Sequence, residues 1–150
     1  MKKIIWLFPV LFILFACTLQ DNSFQIIPFE TLASGQYSGL TEKTNQLINS
    51  QKELDSVWQK IYSIQIPVPP LPEIDFSQNS LILAARGEQK TSGYDIKIIE
   101  IKTTTQSTEI SLEQINPAQG NILLPALTQP FILVKTTKIN KPVQFVETKN

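Results

Sequence analysis

The chain has 150 residues, 42% of them hydrophobic, a length that one domain accounts for. Thirteen Lys and Arg balance thirteen Asp and Glu, and Arg86 is the only Arg, so the clustered cations that nucleic-acid phosphates require are missing. With no His and one Cys, the commonest general base, the commonest zinc ligand, every Ser-His-Asp or Cys-His nucleophile and an internal disulfide are all excluded.

The N-terminus reads MKKIIWLFPVLFILFAC. Lys2 and Lys3 form a charged start, and Ile4–Phe15 is an apolar run shorter than the about 20 residues of a comfortable membrane span. Leu14-Phe15-Ala16-Cys17 resembles the bacterial lipobox, with Phe15 bulkier than the pattern prefers. The resemblance implies a signal peptide over residues 1–16 and lipidation of Cys17 as the first mature residue, followed by a tether and first strand to residue 34. A plain signal peptide with an unrelated Cys, or an uncleaved signal anchor, are the alternatives. The expected location is the bacterial cell envelope, lipid-anchored, and the outer membrane if the cell has one. Loss of Lys2 and Lys3 leaves eleven basic against thirteen acidic groups.

Leu19–Ser23 reads as a polar tether and Phe24–Phe29 as the first strand, pushed to an edge by Pro28. Glu30–Gly39, with two glycines, reads as a loop in which Tyr37 and Leu40 reach the core. Thr44–Asn49 is a short strand. Ser50 and Glu53 have the spacing of a capping box, and Leu54, Val57, Trp58, Ile61 and Tyr62 recur at helical spacing, which predicts a helix over Gln51–Tyr62. Its apolar face packs on the domain's own sheet or meets a partner. Ile66–Pro72, with four prolines in seven residues, reads as a stiff connector or a polyproline ligand.

The centre of the chain is Ser80–Lys102. Leu81–Ala85 and Tyr94–Ile101 have strand composition and flank a polar loop, so a β-hairpin is expected. Ile96 and Ile98 share one phase while Ile99 and Ile101 hold the other, which requires a bulge or a strand covered on both faces. Glu109–Ile115 reads as a strand antiparallel to Tyr94–Ile101, Asn116–Gln129 as a loop, Pro130–Thr137 as a central strand and Val143–Val146 as an edge strand. The fold expected is mainly β, of the α+β kind: an antiparallel sheet or two-layer sandwich with one packed helix.

Asp75-Phe76-Ser77, an apolar strand, and then Gly87-x-x-x-Thr91-Ser92-Gly93-Tyr94 resemble the PrcB C-terminal domain family, with Ser92 where that family usually has Gly. Ser50, Glu53 and Trp58 upstream and Thr128–Lys135 downstream match the same pattern loosely, so the PrcB-like domain is drawn over residues 35–150. The resemblance implies a lipoprotein that binds and stabilises a secreted or envelope protease complex. Thr91-Ser92-Gly93-Tyr94 is also similar to one loop of chagasin-type peptidase inhibitors, whose R-P-W loop has no counterpart here. The partner-binding candidates are therefore Gly87, Glu88, Gln89, Lys90, Thr91, Ser92, Gly93 and Tyr94, unless the loop is a plain turn with Tyr94 in the core. No catalytic residue, metal ligand or cofactor site is expected, and an envelope interaction module without a protease partner is the further alternative.

Overall fold

The computed structural model describes residues 23–149; the signal segment and Cys17 lie outside the described residues. Eight strands and one helix follow one another as β1 (Gln25–Ile26), β2 (Phe29–Gly35), β3 (Thr44–Ile48), α1 (Gln51–Ile61), β4 (Asn79–Ala85), β5 (Asp95–Thr103), β6 (Thr108–Ile115), β7 (Phe131–Thr137) and β8 (Val143–Lys149). They form two four-stranded sheets, ordered β1-β5-β6-β8 and β2-β7-β4-β3. The β6–β8 pair is parallel, a departure from the all-antiparallel expectation. Reaching β6 in the parallel sense requires the return path that residues 116–142 supply through β7 of the other sheet.

The core explains why the middle of the chain is so apolar. Along β4, Leu81, Leu83 and Ala85 point at α1, while Ile82 and Ala84 point at the other sheet. Both faces are thus covered, and the run reads as continuously hydrophobic. Leu54, Val57, Trp58 and Ile61 of α1 complete the first core; Ile96, Ile98, Ile101, Ile110 and Leu112 complete the second. Each fully buried Leu or Ile contributes about 1.5–3 kcal/mol. The phase change in β5 is a bulge: the register shifts between Ile98 and Glu100, leaving Ile99 outward and 53% exposed while Ile101 is buried.

The expected hairpin between Leu81–Ala85 and Tyr94–Ile101 does not form. β4 is already paired on both edges, by β3 and β7, so β5 has no edge to join. Residues 86–94 instead carry the chain across the roughly 10 Å between facing sheets. The loop expected over Glu30–Gly39 is also corrected: Phe29–Gly35 is a strand, paired with β7 through a bulge at Leu32. Its Ser and Gly residues sit at an edge, where a ladder on one side suffices. Pro28, which has no N–H, marks the crossing from β1 in one sheet to β2 in the other.

Helix α1 starts as its sequence dictates. The Ser50 hydroxyl accepts from the Glu53 N–H at 3.3 Å, and the Glu53 carboxylate reaches back to the Asn49 N–H at 2.8 Å. The proline-rich connector lies along the helix: Trp58 Nε1 donates to the Pro69 carbonyl at 3.0 Å, and the Gln51 amide holds Pro72 and Ile74. At the margin where β3 nears β8, Lys43, Asn45 and Gln114 all donate to the Glu147 carboxylate. Burial works to raise the pKa of Glu147, but those hydrogen bonds and the Lys43 charge outweigh it and hold the group below the usual Glu range.

Candidate functional site

At one end of the sandwich, the ends of β2 and β4 and the starts of β5 and β7 come together. The loops that leave there are residues 36–43, 86–94 and 116–130. Arg86, just past β4, fastens this end. Its guanidinium donates to the carbonyls of Asp95 at 3.1 Å and Ile115 at 2.6 Å, and to the Asn116 side chain. The same group lies 4.6 Å from the centroid of the Tyr94 ring. Partial burial lowers the Arg86 pKa, with Tyr94, Asp95 and Glu147 acting in the opposite sense, and the group stays cationic.

The eight candidate residues form a loop held by backbone bonds on two sides. Gly87 is buried with φ +79°, and a Cβ there would stand 2.8 Å from the Lys43 amide nitrogen. Only Gly accepts that backbone and that contact. Glu88 N donates to the Thr41 carbonyl at 2.9 Å, and its exposed carboxylate accepts from Gln129. Gln89 and Thr128 exchange both backbone hydrogen bonds, at 2.7 and 3.0 Å. Lys90 is exposed. The Thr91 carbonyl accepts from the Thr128 hydroxyl. Ser92 and Leu124 hold each other through Ser92 N to the Leu124 carbonyl and Leu124 N to the Ser92 hydroxyl, both at 3.0 Å. Gly93, at φ +91°, lies against Pro117. Tyr94 is half-buried beneath Arg86, neither free nor part of the core.

Two grooves open on this end. One, of about 510 Å³, runs between Gly35, Tyr37, Tyr62, Ile64, Pro69 and Phe131. The other, of about 360 Å³, is lined by Tyr37, Ser92, Gly93, Tyr94, Asp95 and Thr128. Tyr37 lines both, standing as the ridge between them and 62% exposed, whereas the sequence placed it in the core beside Leu40. Leu40 is indeed buried. Next to the loop, Ile122, Leu124 and Leu127 are 94%, 63% and 57% exposed. All three lie outside any strand or helix.

Sequence reasoning passed over that run because it read 116–129 as a plain loop; five apolar residues in six, at 122–127, were the available signal. Three carboxylates near the loop have partners. Asp95 accepts from the Ile96 N–H at 2.8 Å, Glu88 accepts from Gln129, and Glu100 pairs with Lys102. Among the described residues no three His, Cys, Asp or Glu side chains gather as a metal site, and no helix is long and apolar enough to cross a membrane.

No curated protein and no solved structure matches this chain. Residues 80–137, from β4 through the loop to the end of β7, match the family described as PrcB C-terminal, and the resemblance drawn from Gly87–Tyr94 and Thr128–Lys135 stands on that match.

Proposed function

We propose that this chain is a non-catalytic, lipid-anchored envelope protein that binds and stabilises a secreted or envelope protease complex through the end bearing Gly87–Tyr94. One observation carries the reading. The segment that matches the PrcB family supplies two of the three loops of the loop end, and beside its bonded loop it leaves Ile122, Leu124 and Leu127 in solvent. A rigid frame with an exposed apolar rim suits docking on another protein, because few side chains lose freedom on binding. Cys17 supplies the anchor in this reading.

The test is a crosslinked recovery from the native envelope with a tag after Asn150, comparing the unaltered chain with Ile122→Asp/Leu124→Asp. Recovery of a protease or its propeptide, lost in the double variant while the melting temperature is unchanged, is the expected result. Recovery of no protease, or of one indifferent to the substitutions, sinks the accessory reading. Inhibition of a papain-like peptidase by the isolated domain would instead establish the chagasin-type activity.

A further inference from the structure

The opposite end of the sandwich differs in chain path and in charge. Gln25 of β1 pairs with Thr103, at the far end of β5 from Asp95, so the chain enters the fold at the end away from loop 86–94. The nine residues of β5 set the two ends about 30 Å apart at roughly 3.3 Å per residue. Six Cα-to-Cα steps separate Cys17 from Ser23 and reach at most about 21 Å when fully extended. That tether is shorter than the domain is long, so an anchor at Cys17 keeps the entry end near the bilayer.

The chemistry of that end fits such a neighbour. The segments 23–27, 101–108 and 138–146 contain Lys102, Lys138 and Lys141 and no Asp or Glu. Lys141 is exposed and donates to the Thr104 carbonyl. Ser23, Gln25, Thr103, Thr104 and Thr105 surround it as hydrogen-bonding groups around a shallow depression of about 150 Å³. Phe24 and Ile26 are 55% and 62% exposed, and Lys102 Nζ lies 5.3 Å from the Phe24 ring centroid while paired with Glu100. Glu53 and Asp75 lie on the helix side, where Lys138 Nζ donates to Asn49 Oδ1, and Glu100 and Glu109 offset Lys102, so Lys141 is the cation that faces solvent on the β5–β6 side of this end.

We infer that this end rests on anionic lipid headgroups, with Lys141 toward the phosphates and Phe24 and Ile26 at the interface, and that it holds the loop end about 30 Å from the membrane. The inference rests on the lipid anchor of the function proposed above.

Because Cys17 is the only thiol and acylation consumes it, a cysteine placed elsewhere is unique for labelling. The acylated chain carrying Gln106→Cys or Gln119→Cys is labelled with a fluorophore. It is reconstituted in phosphatidylcholine vesicles with or without phosphatidylglycerol, each with a headgroup-linked quencher. Strong quenching at position 106 and little at 119 is expected with phosphatidylglycerol. The contrast fades in 1 M salt, where the screening length is about 3 Å. Lys141→Gln is expected to lower the ratio of docked to undocked chains roughly fivefold. Equal quenching at both positions, or quenching indifferent to phosphatidylglycerol, salt and Lys141→Gln, overturns the docking with the anchor intact. Failure of the chain to enter vesicles at all, with Cys17 unacylated by mass, overturns the anchor and the docking together.

Discussion

Removing the Arg86 side chain tests how the loop end is held. In Arg86→Ala, the carbonyls of Asp95 and Ile115 lose the guanidinium that bridges them, and Tyr94 loses its cationic cover. A hydrogen bond from a charged donor contributes about 1.5–3 kcal/mol, and a cation over an aromatic ring about 0.5–1 kcal/mol. Arg86 is half-buried, so water recovers part of the bonding, and about 3 kcal/mol is the expected net loss. For a domain of this size that corresponds to roughly 10 °C in melting temperature. Urea and thermal unfolding of the chain from Ser23 onward measure it. Arg86→Lys is expected to recover less than half, because one ammonium cannot fork between two carbonyls and Asn116. A loss below about 0.5 kcal/mol, or full recovery by Lys, would refute the claim that this side chain ties the two sheets.

The other predictions act at separate places. Leu133→Ala, at a fully buried position facing α1, is expected to cost about 3 kcal/mol in urea unfolding. Gly87→Ala is expected to cost more than about 2 kcal/mol, since the positive φ and the 2.8 Å approach to the Lys43 nitrogen both oppose a Cβ; equal stability by calorimetry would contradict that geometry. Glu147→Gln is expected to cost about 1 kcal/mol at pH 7. The folded Glu147 pKa is depressed, so its stabilisation is present above the ordinary Glu value and disappears as pH falls through the folded one; the difference between the two proteins should close in that acidic range. Ile122→Asp/Leu124→Asp, at solvent-facing positions, should leave stability within about 0.5 kcal/mol, as thermal unfolding would record.

Where local signals are strong, the sequence was legible. Ser50 and Glu53 mark the helix start, the stripe from Leu54 to Ile61 marks its buried face, and the alternation within Glu109–Ile115 marks β6. The phase change among isoleucines was visible, and of its two readings, a bulge or a strand covered on both faces, the fold takes the bulge at Ile99. What failed were partnerships. Nothing local to Leu81–Ala85 says that both its edges are taken by β3 and β7, which lie more than thirty residues apart from one another in sequence. A short polar loop between two apolar strands has the same composition whether it turns within a sheet or crosses between sheets. The parallel β6–β8 pair was hidden for the same reason. At the loop end, Gly87 and Gly93 were legible as backbone requirements, while the role of Arg86 was not, since its acceptors are carbonyls whose position only the finished fold defines.

The crossover has a consequence for binding that a hairpin would not have. A hairpin tip is tied at its base and free at its end. Loop 86–94 is bonded along its length, to Thr41 at Glu88, to Thr128 at Gln89 and Thr91, and to Leu124 at Ser92. Its backbone groups are therefore largely spent on the fold. What remains free at this end is side-chain surface: Lys90, the Tyr37 ridge, and the apolar residues of 122–127. A partner that docks here reads those side chains against a fixed frame. Substitutions at the bonded positions of Gly87–Tyr94 should accordingly disturb binding and stability together, whereas substitutions at Lys90, Tyr37, Ile122 or Leu124 should separate the two.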